Sequence, residues 1–302
     1  MQTSDIVASK DRTTQAERLS TRRLRYTVRV ILRDPLALFG VFVIVALIIL
    51  ALFGPSIAPY PEQGRGRTNV PDRFAPPSDQ YWLGADQLGR DILSRIIIGT
   101  SIAVRVPAIV VSLAVLIGAP LGALAGYFGG WVDQLIMRVT DLFLAFPSLL
   151  LAVAIVAALG PGLANAMLAI TISWWPWYTR LVRGVTISLR ERYFVEAARS
   201  IGVPDGIVIL RHILPNCVTP ILVQATIDFG TVILAASSLA FIGLGTQPPD
   251  PDWGLMVSQG RSFILDQWWI STFPGMAIFV GVLAFNLLGD TLRDILDPRQ
   301  YR

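Results

Sequence analysis

Asp228 sits about halfway along an otherwise uncharged apolar run, residues 218–239. At the centre of a bilayer a charge costs on the order of 2.5–3.5 kcal/mol, so an acidic side chain kept there has work to do. Gln224, Asp228 and Thr231 stand at i, i+4 and i+7 and share one helix face. Such a stripe can line a translocation path for a polar substrate or an ion, or it can hydrogen-bond to a neighbouring helix and fix packing. Other reactive side chains are scarce. One histidine, His212, and one cysteine, Cys217, leave no intrachain disulfide and no thiol metal cluster, and argue against zinc or iron chemistry. There is no GxxxxGK[ST] phosphate loop and no nucleophile–base constellation. The expectation is a non-enzymatic chain with no catalytic residue, no metal and no cofactor of its own.

The elements that must position these residues are membrane helices. The chain has 302 residues, is 53% hydrophobic and only 15% charged, and its mean hydropathy is +0.59, outside the range of soluble domains. Apolar runs near the ~20 residues that cross a bilayer occur at 36–54, 106–126, 142–159, 163–178, 218–239 and 270–288. The third and fourth are parted by Gly160-Pro161-Gly162. These runs predict an all-α polytopic membrane protein of about six spans. A polar loop, 180–216, lies between the fourth and fifth spans. Residues 1–34 read as a tail with an amphipathic lead-in helix over 22–33, and 35–302 as the transmembrane domain. No cleavable signal peptide is expected.

Of the 25 Lys and Arg, 18 lie in 1–34, 127–139, 180–216 and 290–302, and 7 in the segments between. The positive-inside rule then puts both termini and the 180–216 loop in the cytoplasm, and the 56–105 loop outside. The basic balance fits contact with anionic lipid and gives no reason to expect nucleic acid. Trp174, Trp175, Trp177 and Tyr178, and likewise Trp268 and Trp269, read as interfacial aromatic belts. Asp141 is expected to pair with Arg138, Asp86 to cap a helix, and Asp91 to pair with Arg95 at i,i+4.

The loop at 193–216 holds the most specific pattern. Glu196-Ala197-Ala198 is followed by Gly202, whose position suits the left-handed residue that ends a short helix. Pro204 suits the first turn of a second helix, and Leu214-Pro215 its end. Phe194, Val195, Ile201, Ile207 and Leu210 give this helix–turn–helix knob an apolar side. The spacing closely resembles the EAA loop of bacterial ABC-transporter permeases, with His212 in a slot where isoleucine is usual. A second string resembles the dipeptide and oligopeptide branch of these permeases, in its C-type subunits. It runs from Trp82-Leu83-Gly84-Ala85-Asp86 through Gly89-Arg90-Asp91 to Ser94-Arg95, with Ala85 where threonine is usual. Gly126-Tyr127-Phe128-Gly129-Gly130, Phe146-Pro147-Ser148 and Pro248-Pro249-Asp250-Pro251-Asp252-Trp253-Gly254 continue the likeness, which covers about residues 30–299.

The resemblance implies an inner-membrane permease subunit of a binding-protein-dependent ATP-driven importer, for di- or oligopeptides. It implies ATPase coupling through Glu196, Ala197, Ala198, Gly202, Leu214 and Pro215. The implied partners are a second homologous permease, two ATPase subunits that bind ATP and magnesium, and an extracytoplasmic substrate-binding protein. Alternatives are the same machinery carrying a nickel chelate, glutathione or a sugar. An ion-driven secondary transporter with Asp228 as its proton or sodium site is a further alternative. The lack of other intramembrane acids and of an internal repeat counts against it. For the Trp82–Arg95 string, a capped lead-in helix and a direct contact with substrate or binding protein both remain open.

Overall fold

The structure, a computed structural model, describes residues 34–296. The expected tail and amphipathic helix before Asp34, and the last six residues, lie outside that range. Among the described residues the fold is helical, with one isolated antiparallel bridge, Ala85 to Asp91. Helix α1 is Pro35–Ile57, α2 Ile92–Phe128, α3 Gly130–Leu144, α4 Ser148–Leu159, α5 Leu163–Arg190 and α6 Tyr193–Ser200. Helix α7 runs over Asp205–Phe241, α8 over Trp253–Gly260 and α9 over Trp269–Leu296.

Local chemistry sets the starts of these helices. Asp34 accepts from the Leu36 N–H and Pro35 takes the first helical position of α1, where a missing N–H costs nothing. Asp91, not Asp86, caps α2, accepting from the Ser94 N–H and hydroxyl. The expected Asp91–Arg95 pair is absent because that cap occupies the carboxylate.

The spine of the bundle is α2 against α5. Gly118, Gly122 and Gly126 fall at four-residue intervals on α2 and let the α5 backbone close in. A β-carbon at Gly126 would lie 2.7 Å from Thr186 Cβ and 2.8 Å from the Arg183 carbonyl oxygen. Around this pair a core forms from Val106, Val110, Ala114, Val156, Ile170, Trp174, Trp175, Tyr178, Val232 and Leu239. Helices α7 and α9 pack together, α1 lies against α2 and α9, and the short α8 is tucked between α7 and α9.

Among the described residues four helices, α1, α2, α7 and α9, are long and apolar enough to cross a membrane, or five if the bent pair α3–α4 counts as one span. The expected third span, 142–159, is not one rod. Pro147 disfavours helix at Phe146, so the chain breaks there and α4 leaves α3 at 83°. The expected fourth span, 163–178, is the first part of α5, which runs on to Arg190. Its polar side chains are turned back onto the helix or inward, as with Thr171 to the Met167 carbonyl and Ser173 to that of Ala169. A helix wrapped by α2, α4 and α7 is shielded by protein and need not match a lipid-facing one in hydropathy.

Most of the expected aromatic belt residues lie inside the bundle. Trp174, Trp175 and Tyr178 are buried in the core and only Trp177 is half-exposed. Trp269 is buried and donates to the Ala85 carbonyl, while Trp268 stays half-exposed. Asp141 pairs with Arg180 of α5 at 2.7 Å rather than with Arg138.

Candidate functional site

At one end of the bundle the chain leaves α5, turns at Glu191-Arg192 and forms the knob α6–turn–α7. Gly202 has φ +79°. Its N–H bonds to the Arg199 carbonyl, and the Val203 N–H to that of Ala198, at 2.9 and 3.1 Å. This is the paired closure of a Schellman turn, which needs the left-handed residue that glycine supplies. Pro204 is the N-cap of α7, one position before the expected first turn.

The knob has two faces. Val195, Ala198, Val208, Ile209 and Ile213 are buried against Ala119, Ala123 and Tyr127 of α2, Val182 of α5, and Cys217. Ala198 must be small because it lies in that seam. Glu196 and Ala197 point outward, and around them Tyr193, Phe194, Ile201, Ile207 and Leu210 are exposed. Ile201 is 81% and Leu210 67% exposed, an apolar rim on a polar segment. Val195, assigned from sequence to that rim, belongs to the inner face. His212 is half-buried, its ring 6.5 Å from that of Phe194.

Leu214-Pro215 does not end a helix. Residues Ile209–Ile213 form a π turn and the helix continues into Leu214–Phe241. Proline in a helix lacks an N–H and its ring crowds the carbonyl four residues back. One wider turn just before it accommodates both. Leu214 is half-buried and Pro215 exposed.

Arginines and one tyrosine fasten this end. Arg190 donates to the Gly126 carbonyl at 3.2 Å, and Arg183 makes a forked ion pair with Asp133 of α3. Buried Tyr127 bonds to both Arg199 and Asp205. Tyr127 belongs to the Gly126-Tyr127-Phe128-Gly129-Gly130 string, and its position beside α6 and α7 has no local sequence signal.

In mid-bundle, Gln224 donates to Asp228 Oδ1 at 3.1 Å, so two of the three stripe residues are joined. Asp228 is only 7% exposed, and its Oδ2 and the hydroxyl of Tyr178 are both buried without a formed hydrogen bond. Tyr178 and Trp174 of α5 are the polar groups that approach the carboxyl. Thr231 does not join them. It is exposed and turns its hydroxyl back to the Ile227 carbonyl.

At the opposite end, the string around residues 82–95 is a buried clamp. Asp86 Oδ2 takes the Arg90 guanidinium at 2.7 Å, and its Oδ1 accepts from the Leu88 and Arg90 N–H groups. Arg95 lies 3.9 Å from Asp86 and donates to the Pro249 carbonyl at 3.4 Å. Trp253 donates to the Ile96 carbonyl, and Arg90 reaches Gln259. Asp91 and Asp252 cap α2 and α8, and burial raises both carboxyls above their ordinary range against the hydrogen bonds that hold them down. Of this string Trp82 and Leu88 are well exposed, while Asp86, Arg90, Asp91 and Arg95 are inside. The reading as a structural lead-in is the one the geometry carries for those four.

Among the described residues no cluster of three or more His, Cys, Asp or Glu could hold a metal ion. The arrangement offers a knob with an exposed apolar rim, a buried polar joint and a clamp.

Comparison with known proteins follows the same line. Residues 118–302 match the family described as binding-protein-dependent transport system inner membrane component. Residues 23–77 match the N-terminal TM domain of oligopeptide transport permease C. The chain is 47% identical over 267 residues to the dipeptide transport system permease protein DppC of Alkalihalophilus pseudofirmus, covering 88% of this chain and 87% of that one. It is 43% identical to the probable D,D-dipeptide transport system permease protein DdpC of Escherichia coli K12, over 88% of each. A glutathione transport system permease protein, GsiD of Escherichia coli O6:K15:H31, is 46% identical, again over 88% of each. Among solved structures, the inward-facing MetNI methionine ABC transporter shares the fold, with TM-score 0.54 at 18% identity, over 68% of this chain and 97% of that one. The chain belongs to the family of inner-membrane permease components of binding-protein-dependent ABC transport systems.

Proposed function

We propose that this permease is the C-type subunit of an ATP-driven importer of di- or oligopeptides, and that the knob is where it meets its ATPase. The observation that carries the reading is the two-faced packing of α6 and the start of α7. The inner face is spent on α2 and α5, while Phe194, Ile201, Ile207 and Leu210 stand exposed around Glu196 and Ala197. An apolar rim on a basic loop outside the membrane is a surface awaiting a protein. Glu196, Ala197, Ala198, Gly202, Leu214 and Pro215 build that surface or hold its shape.

ATP and magnesium belong to two partner ATPase subunits, and a binding protein delivers cargo from the far side. Helix α3 supports a second permease. Its carboxylates reach arginines of α5, Asp133 to Arg183 in a part-buried pair and Asp141 to Arg180 in an exposed one, and Trp131, Leu135, Val139 and Leu142 stand exposed as an apolar row for that partner. The arginine distribution supports both termini and the knob on the cytoplasmic side. Peptide cargo follows from the relatives, two named for dipeptides and one for glutathione, itself a small peptide. Nothing favours Asp228 as an ion site, since it is shielded by its own chain's helices. We read it as a packing joint between α5 and α7, and Gln224 as its partner; Thr231, being exposed, is the one of the three still placed to line a path.

The test is purification of the tagged chain from its native membrane with its neighbours. ATPase subunits should accompany the wild type and be lost with Ile201→Asp or Leu210→Asp. A reporter active only outside the cytoplasm should work when fused after Gly66 and be silent after Asp205. ATPase retention in both aspartate variants, or an active Asp205 fusion, would overturn the assignment.

A further inference from the structure

Tyr127 is the last buried side chain of α2, 2% exposed, and it stands where the three parts of this end meet. Its hydroxyl accepts from Arg199 Nε at 2.9 Å and donates to Asp205 Oδ1. The Arg199 guanidinium also lies over the tyrosine ring, 4.4 Å from its centre. Arg199 belongs to the last turn of α6, and Asp205 is the first residue of α7. One hydroxyl therefore holds both sides of the Gly202 turn to the end of a 37-residue helix. Arg199 and Asp205 alone are 3.9 Å apart, too far for a hydrogen bond, so the tyrosine oxygen completes the bridge.

We propose that Tyr127 is a positioning residue for energy coupling: its hydroxyl makes the knob and α2 move as one body, so that displacement of the knob enters the bundle instead of being lost at a loose joint. The proposal rests on the reading of the knob as the ATPase contact. The chemistry needed is narrow. A group must accept from a guanidinium and donate to a carboxylate at once, from the end of a flat ring that the same guanidinium covers. A phenol does this; phenylalanine keeps the ring and the stacking and loses both bonds. The apolar seam of Val195, Ala198, Val208 and Ile209 would still hold the knob near its place. The loss would thus appear as slippage and not as unfolding.

The experiment uses the whole complex in proteoliposomes with its binding protein. It measures ATP hydrolysed per peptide imported, normalised to assembled complex. Tyr127→Phe should assemble normally and raise that ratio by about tenfold or more, since the loss of even one of the two charge-assisted hydrogen bonds shifts a two-state equilibrium that far. Asp205→Asn, which keeps an acceptor oxygen, should stay near wild type, and Asp205→Ala should behave like Tyr127→Phe. An unchanged ratio in Tyr127→Phe, whether or not assembly falls, overturns the proposal. A cysteine placed as Ile201→Cys and cross-linked to the ATPase separates the two ideas. Cross-linking with an unchanged ratio leaves the docking knob standing and removes Tyr127's role, whereas no cross-link in wild-type background removes the knob assignment itself.

Discussion

Gly118 in α2 lies directly under the backbone of Trp175 in α5: a β-carbon there would stand 2.5 Å from the Trp175 carbonyl oxygen and 2.7 Å from Tyr178 Cβ. Backbone atoms cannot step aside as a flexible side chain can, so the two helices must part to admit even a methyl group. Gly118→Ala is expected to cost about 1–3 kcal/mol, the usual penalty for overpacking, and Gly118→Val more. Gly184, exposed on α5 with nothing within 4 Å, is the control. Gly184→Ala should be neutral or gain up to about 1 kcal/mol of helix propensity. Thermal midpoints of the purified complex would read both, and equal behaviour at the two positions would show that the α2–α5 contact is looser than described.

Gly202 presents the opposite case, because nothing lies within 4 Å of its missing β-carbon and only its φ of +79° resists a side chain. Gly202→Val should strain the turn by about 1–3 kcal/mol, while Gly202→Asn, which tolerates that conformation, should stay near wild type. Membrane insertion should be normal in both and uptake low only with valine. Equal uptake would mean that the turn's conformation is irrelevant to transport.

Asp228→Asn should be tolerated, since the amide can still bond to Gln224 and face Tyr178. Asp228→Leu strands the Gln224 amide, and should cost about 1–3 kcal/mol and lower the amount of assembled complex. Loss of uptake by Asp228→Asn at wild-type assembly would move this residue from packing to substrate handling.

Asp86→Ala would leave Arg90 and Arg95 buried without their carboxylate, for an expected loss of about 3–5 kcal/mol. Arg73→Ala, which removes an exposed guanidinium stacked over Phe74, should shift the thermal midpoint little. Similar midpoints for the two variants would contradict the clamp.

Asp252 gives the same region a pH dependence. Burial raises its folded-state proton affinity above that of the unfolded chain. The stability linked to its proton is therefore fully present below the ordinary carboxylate range and is lost as pH rises through the raised value. Asp252→Asn keeps a capping oxygen for the Leu255 N–H and cannot titrate. Its thermal midpoint should fall less than that of wild type as pH is raised from the ordinary carboxylate range, and parallel curves would refute the linkage.

Local chemistry made the knob readable: a helix of Glu, Ala and Arg, a glycine where the turn must go left-handed, and a proline to start the next helix are all short-range signals. Gly118, Gly122 and Gly126 also carry their spacing openly, but spacing does not say which helix comes close. The clamp was illegible for a plain reason. Arg95 reaches Pro249, and Trp253 reaches Ile96, across 154 and 157 residues of chain. A charged string in a loop reads as surface until those distant partners arrive to cover it. Thr231 shows the limit of face-sharing, since 3.6 residues per turn places it on Asp228's side without telling that the neighbouring helix stops covering that side one turn later.

The helical passage from the knob into the rest of α7, unbroken through its π turn, leaves the knob asymmetric in stiffness. On one side the chain passes from Asp205 to Phe241 as one rod, roughly 55 Å long at 1.5 Å per residue. On the other it bends through the non-helical Glu191-Arg192 link into α5. A single residue inserted into the rod would turn everything beyond it by about 100° and put the wrong face of α7 against α9. The same insertion at the link would be taken up as slack. The knob is held by a stiff arm and a soft one, and only the stiff arm keeps its angular register all the way through the bundle.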